Sequence, residues 1–195
     1  NLPIAREAAE QLKGFSGKLI VITNPMDVFT WYFAKHAGLD EGQVVGFGGL
    51  LDSRRFTVAL SSMGIKEEGM VLGEHGENQV PVFSRLSVDV PEAVREEVLL
   101  GLRGSSMPVI KGKGGTVFGP AYHIANMMQK IEKGEEFICS LPANGAYGID
   151  GCSIGLPAKV TRNGAKINEN LKLDDWETAK LNAAAEFLTG LCRRV

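Results

Sequence analysis

The sequence is short of cysteine, of net charge and of long hydrophobic runs, and each scarcity excludes a class of protein. Its three cysteines are scattered and form no C-x-x-C pair, so a disulfide framework is not predicted and a reducing, cytoplasmic location is expected. A formal net charge of −2 gives no electrostatic case for binding nucleic acid or a membrane surface. No apolar run is long enough to span a bilayer, and residues 1–6 contain no apolar signal core.

The rest of the composition, 44% hydrophobic and 23% charged residues, is typical of a globular protein with a buried core. Residues 18–23 and 44–49 contain short apolar runs, a pattern typical of parallel strands buried on both faces. Later runs bounded by Asn-Gly and Asp-Gly turns predict antiparallel strands at residues 137–141, 152–159 and 165–168. The predicted fold class is therefore an α/β remnant followed by an α+β domain. Other predicted elements are helices at residues 4–13 and 116–131, a flexible entry at 111–115, a strand at 79–84 and a final helix ending near 192.

One loop is the strongest candidate for chemistry. Residues 73–81 read Gly-Glu-His-Gly-Glu-Asn-Gln-Val-Pro and place His75 between two glycines, just after an apolar run. A histidine with little bulk on either side can reach a small substrate, and its ordinary pKa lies close to neutral. A lone histidine is more often structural, but the glycines and charged neighbours favour acid–base chemistry here. His36 and His123 lie in helical patterns, and we expect them to be surface or core residues.

A second polar cluster lies upstream of this loop, at residues 51–56. Asp52 could orient the imidazole of His75 and stabilise its charge, and Arg55 could bind a carboxylate with its planar guanidinium. These two residues stand three apart and so share one helix face. A local ion pair between them is the simpler alternative, and the adjacent Arg54 competes as the anion-binding residue.

Two further residues have both a structural and a functional interpretation. Asn24 follows a predicted strand, where ligands bind in α/β proteins, but Asn24-Pro25 could merely end that strand. Thr116 follows a glycine-rich segment and could cap a helix or face a substrate. Together with His75 and its acidic and basic neighbours, these residues indicate proton exchange with an anionic hydroxy or oxo acid.

Three other motif interpretations fail. The glycine clusters at residues 46–49 and 112–115 match neither G-x-G-x-x-G nor the Walker pattern. The sequence Glu-His-Gly-Glu at residues 74–77 does not match H-E-x-x-H, and no second histidine is near it. Neither a phosphate-binding loop nor a metal site is therefore predicted.

Taken in order, five segments resemble the lactate/malate dehydrogenase family. They are Asn-Pro-Met-Asp at 24–27, Gly-Phe-Gly-Gly-Leu-Leu-Asp-Ser-Arg-Arg-Phe at 46–56, Gly-Glu-His-Gly-Glu-Asn-Gln-Val-Pro-Val-Phe-Ser at 73–84, Lys-Gly-Gly-Thr-Val-Phe-Gly-Pro-Ala at 113–121 and Gly-Leu-Pro-Ala at 155–158. Each segment alone is a modest signal, whereas the ordered set covers almost the whole chain. The pattern is most similar to the lactate-dehydrogenase-like malate dehydrogenases of archaea.

The resemblance implies a malate dehydrogenase that transfers hydride between a nicotinamide cofactor and malate or oxaloacetate. His75 would be the acid–base residue, with Asp52 as the partner that stabilises its imidazolium. Arg55 would bind the substrate carboxylate bidentately. A lactate or other 2-hydroxy acid dehydrogenase is the nearest alternative.

The resemblance also implies roles around the reacting atoms. Asn24 would hydrogen-bond the reacting oxygen and border the nicotinamide, and Thr116 would line the substrate pocket. Thr23 and Phe47 would lie near the nicotinamide ring. NAD is the expected cofactor, with NADP left open, and the family implies a homodimer or homotetramer.

Two departures from the family pattern qualify these expectations. Glu77 stands where the family usually has aspartate. The family's dinucleotide-binding half, with its glycine-rich turn and the loop that separates malate from lactate enzymes, precedes the segments found here. Residues 1–48 are therefore expected to be the C-terminal remnant of that half of a Rossmann-type sheet, and residues 49–195 the substrate-binding domain. The isolated chain is expected to be inactive, and an inert fragment or assembly subunit is the alternative of another class.

Overall fold

Short apolar runs form the strands of one mixed sheet in the computed structural model, which describes all 195 residues. The strands are β1 (Leu19–Val21), β2 (Val44–Gly46), β3 (Val71–Gly73), β4 (Gln79–Pro81), β5 (Glu136–Pro142), β6 (Ser153–Thr161) and β7 (Gly164–Ile167). Their order in the seven-stranded sheet is β1-β2-β5-β6-β3-β4, with β7 also paired to β6. The helices are α1 (Leu2–Gln11), α2 (Met26–His36), α3 (Gly49–Ser62), α4 (Glu92–Gly104), α5 (Met107–Lys113), α6 (Phe118–Lys133) and α7 (Asp175–Cys192).

The sheet combines the two arrangements that the sequence predicts. Strands β1 and β2 are parallel, with Leu19 opposite Val44, whereas every other pair is antiparallel. The junction is short, because β2 meets β5 only through Gly46 and Ser140. The predicted fold class is confirmed, and the predicted domain boundary after residue 48 stays a prediction.

Two predicted elements differ from the structure for identifiable reasons. The expected strand at 79–84 ends at Pro81, because the main-chain N–H groups of Phe83 and Ser84 donate to Glu177 Oε1 at 2.7 and 2.8 Å rather than to a neighbouring strand. Most of the expected flexible entry at 111–115 is helical. It belongs to α5, which Gly114 ends with a φ of 76°, a conformation that glycine adopts without strain.

The hydrophobic core lies between the sheet and its helices. Its largest cluster packs the apolar face of α7 and part of α2 against β3 to β6. Phe56 is fully buried, whereas Ile4 and Val58 are 71% and 57% exposed, so only the first of these three apolar residues belongs to the core. No helix combines the length and the hydrophobicity that crossing a bilayer would require.

Candidate functional site

His75 and the start of α3 form a hydrogen-bonded group. The Nδ1 atom of His75 lies 2.6 Å from Oδ2 of Asp52, and the Nη1 atom of Arg55 donates to the other oxygen, Oδ1, at 3.1 Å. Asp52 is buried, whereas Arg55 and His75 are partly exposed. The predicted contact between Asp52 and His75 is therefore present, and Arg55 shares the same carboxylate.

The close approach of α3 to His75 depends on a glycine. A Cβ atom added at Gly48 would lie 2.6 Å from Cγ of His75, which is too close for any real contact. Gly48 also has a φ of 154°, where side chains other than hydrogen are strained. The glycine cluster at 46–49 thus has a packing role beside the histidine, which differs from the rejected phosphate-loop interpretation.

A second buried carboxylate holds the main chain of the histidine loop. Oδ2 of Asp27, in the first turn of α2, accepts a hydrogen bond from the His75 N–H at 2.8 Å. Asp27 is only 2% exposed, and its Oδ1 atom has no hydrogen-bond partner. Burial raises the pKa of Asp27 to about 6. The sequence analysis gave this residue no role; its signal is an acidic residue within a helix that is otherwise largely apolar.

The electrostatic surroundings favour a protonated imidazole at His75. Burial acts to lower its pKa, but the hydrogen bond and charge of Asp52, together with the charge of Asp27, raise it above the ordinary value against the opposing charge of Arg55. Because Nδ1 is held by Asp52, the Nε2 atom is left for a ligand. The arrangement can therefore store a proton and deliver it at a defined ring nitrogen.

A cavity of about 380 Å³ opens beside His75. Its lining includes five residues that the sequence analysis named: Asn24, Phe47, Arg55, His75 and Thr116. Thr116 lies two residues before α6, whose N-cap is Val117, so it faces the cavity instead of capping that helix.

The remaining candidates lie outside this cavity wall. Asp52 lies behind His75 as its hydrogen-bond partner, and Thr23 is exposed and does not line the cavity. Arg54 is exposed as well and lines two larger cavities of about 590 and 770 Å³. His123 lines the larger of these, while His36 is exposed and packs on Tyr32 with 4.6 Å between ring centroids.

Sequence reasoning gave no role to several residues of the cavity wall, among them Ile22, Gln79 and Arg103. Ile22 follows β1 and is half-exposed despite its apolar side chain. Gln79 begins β4, and Arg103 lies in the last turn of α4. The pattern of α4 is that of an ordinary amphipathic helix, so nothing in it singles out Arg103.

Residues 50–192 match the sequence model of a family described as the lactate/malate dehydrogenase, alpha/beta C-terminal domain. The chain belongs to the lactate/malate dehydrogenase family. The resemblance found in the sequence is thereby confirmed, and the match spans every strand from β3 to β7.

The proteins similar to this chain include malate dehydrogenases and L-lactate dehydrogenases. The chain is 36% identical over 202 residues to the malate dehydrogenase of Natronomonas pharaonis, covering 97% of this chain and 66% of that protein. It is 30% identical over 211 residues to the L-lactate dehydrogenase of Macrococcus caseolyticus, covering 98% and 67%. The chain thus spans about 66% of the length of the first of these relatives.

The fold is similar to solved structures of the same family. The malate dehydrogenase of Archaeoglobus fulgidus in complex with NADH superposes with a TM-score of 0.87 at 33% identity, covering 98% of this chain and 67% of that one. An L-lactate dehydrogenase from Clostridium thermocellum gives a TM-score of 0.88 at 28% identity, covering 100% and 71%. Members of both activities therefore share this arrangement of sheet and helices.

Proposed function

We propose that this chain carries the substrate-binding and proton-transferring groups of a malate dehydrogenase, which interconverts malate and oxaloacetate with NAD(H). The observation that carries the proposal is the convergence of His75, backed by Asp52, and Arg55 on one cavity. A 2-oxo acid needs a proton donor at its carbonyl oxygen and a cation at its carboxylate, and these two side chains supply both.

The geometry supports a division of labour between these side chains. His75 would give the proton on Nε2 to the carbonyl oxygen during reduction and take it back during oxidation. Asp52, 2.6 Å from Nδ1, would stabilise the imidazolium. Arg55 has one Nη atom on Asp52, which leaves the other free to bind the substrate carboxylate. Asn24 and Thr116, which also line the cavity, would orient the substrate.

The described residues fit the nicotinamide end of the cofactor. Ile22 and Phe47 give the cavity an apolar wall, and Asn24 adds an amide beside them, a combination that suits a flat ring carrying a carboxamide. When bound, the nicotinamide supplies or accepts the hydride. We assign NAD because the structure of the Archaeoglobus fulgidus relative was solved with NADH. The expected position of Thr23 near the nicotinamide ring stays a prediction.

L-lactate dehydrogenase is the second candidate, because the chain is 30% identical to the enzyme of Macrococcus caseolyticus. The malate dehydrogenases of Natronomonas pharaonis and Archaeoglobus fulgidus are 36% and 37% identical, which favours malate. The test is NADH oxidation by the whole protein with oxaloacetate and with pyruvate in parallel. Faster turnover of oxaloacetate would support malate chemistry, and equal or faster turnover of pyruvate would refute it.

We further propose that a polypeptide of these 195 residues alone turns over neither substrate. The residues that fit the cofactor would contact only its nicotinamide end, so most of the free energy that binds the cofactor would not be gained. A normal rate of NADH oxidation by the purified 195-residue polypeptide would refute this proposal and remove the inert-fragment alternative.

Assembly into a homodimer or homotetramer is also proposed. The surface of α3 and α4 exposes three large apolar side chains: Val58, Met63 and Leu100. Val58 and Met63 line one groove together with Val98 of α4, and contiguous apolar patches are a feature of protein interfaces. Light scattering of the purified protein would give the mass, and a monomer at micromolar concentration would refute the proposal.

A cytoplasmic location remains a proposal that the cysteines support. All three, Cys139, Cys152 and Cys192, are free and buried, and burial raises the pKa of each thiol. Such thiols persist in a reducing compartment. Fractionation of source cells followed by detection of the chain would test the assignment.

A further inference from the structure

Two polar side chains in the wall of the His75 cavity have unmet hydrogen-bonding capacity. The Nε atom of Arg103 is buried and has no hydrogen-bond partner. The same is true of Oε1 of Gln79, a residue that is only 4% exposed. Both residues line the cavity that holds His75 and Arg55. Buried polar groups are rarely left without partners. Oε1 of Gln79 is an acceptor and cannot itself bind a carboxylate, so the donor that Gln79 can offer to an anion in the cavity is its amide Nε2.

The charge of Arg103 is not neutralised by any carboxylate of the chain. Glu96 is near enough for the charge of Arg103 to lower its pKa, but Oε1 of Glu96 already accepts from Lys180 at 2.7 Å and from Trp176 at 2.9 Å. Glu77 also lines the cavity, but it is exposed and forms no salt bridge with Arg103. Arg103 therefore lines the cavity without a salt-bridge partner.

The two arginines of the cavity differ in their surroundings. Arg55 shares its charge with the buried Asp52, whereas Arg103 has no acidic partner. A ligand with one carboxylate on Arg55 leaves the second cation partly desolvated and unpaired, which is unfavourable. A ligand with two carboxylates satisfies both cations, and the amide of Gln79 can donate to the second.

We propose that Arg103 and Gln79 bind the distal carboxylate of a 2-oxo or 2-hydroxy dicarboxylate, and that they thereby select dicarboxylates over monocarboxylates. The inference rests on the proposed function and adds a residue-level basis for its substrate class. Part of the selection between dicarboxylates and monocarboxylates would then take place in the proposed substrate-binding domain itself. Selection at this position is separate from the loop to which the family resemblance assigns the choice between malate and lactate.

The test compares four variants of the whole protein: Arg103→Met, Arg103→Lys, Gln79→Met and the control Arg193→Met. Arg193 caps the C-terminus of α7, is exposed and lies outside the cavity, so its variant reports the effect of losing a positive charge elsewhere. Steady-state rates are measured with oxaloacetate and pyruvate at saturating NADH, and the KM for NADH is determined for each variant. Circular dichroism checks that each variant is folded.

The proposal expects Arg103→Met to lower kcat/KM for oxaloacetate by at least about tenfold, the effect of losing a hydrogen bond to a charged group. The value for pyruvate should change by less than about threefold, as for a surface substitution. Arg103→Lys should retain part of the preference, and Gln79→Met should lower it in the same direction. Arg193→Met should match the unsubstituted protein.

Two kinds of result would overturn the inference while leaving the proposed function intact. One is an equal loss with both substrates, or a raised KM for NADH alone, which would assign Arg103 to the fold or the cofactor. The other is an unchanged ratio of the two kcat/KM values in folded Arg103→Met and Gln79→Met variants. An unsubstituted whole protein that reduces neither acid would overturn the proposed function and this inference together.

Discussion

Asp52 joins His75 to Arg55 through one buried carboxylate, with Oδ2 lying 2.6 Å from Nδ1 of His75 and Oδ1 accepting from Nη1 of Arg55 at 3.1 Å. The proposed acid–base group and the proposed anion-binding group are therefore positioned by the same side chain. Because Asp52 lies in the first turn of α3, three residues before Arg55, the helix fixes the spacing between the two. A change at Asp52 should disturb proton transfer and substrate binding together.

The first prediction concerns Asp52→Asn and the pH dependence of activity. Removing the negative charge removes an interaction that raises the pKa of His75, so that pKa should fall. In the proposed mechanism, reduction of oxaloacetate needs protonated His75, so its rate should be lost as pH rises through this pKa. The variant should therefore lose activity at a lower pH than the unsubstituted protein, and kcat/KM should fall by about a hundredfold.

The measurement is kcat/KM for oxaloacetate and for malate across pH 5–9, a range that brackets the ordinary histidine pKa. In the proposed mechanism His75 must be unprotonated for malate oxidation, so the activity that is lost on acidification should also be lost at a lower pH. An unchanged pH profile with a reduced rate would show that Asp52 acts without tuning the histidine.

The sequence predicted the elements with strong periodicity and the site residues of the ordered motifs. The long helix that ends at Cys192 and the antiparallel strands β5 to β7 follow from local patterns. Arg103 and Gln79 could not be found in this way, because only the packing of α4 and β4 brings them to the cavity. Asp27 was missed for the same reason, since its partner is a main-chain N–H 48 residues away.

A second prediction tests the glycine beside the histidine. Gly48→Ala should strongly reduce activity, because its Cβ would lie 2.6 Å from Cγ of His75 at a φ of 154°. The matched control is Gly190→Ala in α7, where a Cβ meets nothing within 4 Å. This control should keep its activity and gain up to about 1 kcal/mol of stability from the higher helix propensity of alanine. Equal activity of the two variants would contradict the predicted clash.

A third prediction concerns Glu177, which is fully buried in α7. Its Oε1 accepts from the N–H groups of Phe83 and Ser84, and its Oε2 accepts from the Ser84 hydroxyl and the Asp174 N–H. Glu177→Gln turns one of these acceptors into a donor that faces donors, which should cost about 1–3 kcal/mol.

The measurement is the free energy of unfolding in urea, with Glu186→Gln as the control. Glu186 is exposed on the same helix, so its amide should change stability by less than about 0.5 kcal/mol. Similar midpoints for the two variants would mean that the segment after β4 is held by something other than Glu177.

The last prediction uses Asp27, whose pKa burial raises from 3.8 to about 6. A carboxyl group that binds its proton more tightly in the folded state lowers stability above its folded pKa, and this loss disappears below its unfolded pKa. The stability of the unsubstituted protein relative to Asp27→Asn should therefore rise as the pH falls from 6 to 4. A pKa shift of about two units corresponds to a change of roughly 3 kcal/mol in the free energy of unfolding.

The comparison cancels the contributions of the titrating groups that do not interact with Asp27; His75, whose pKa the charge of Asp27 raises, is the exception. The amide in the Asp27→Asn variant keeps an oxygen that can accept from the His75 N–H, but it cannot ionise. Unfolding free energies of both proteins are measured in urea at several pH values between 4 and 7, so that only their difference is interpreted. The difference should level off about one unit above the folded-state pKa of about 6, where the carboxyl group is mostly ionised in both states. Parallel curves over the whole range would mean that Asp27 has the same pKa in the folded and the unfolded chain. Its carboxylate would then remain hydrated despite its burial.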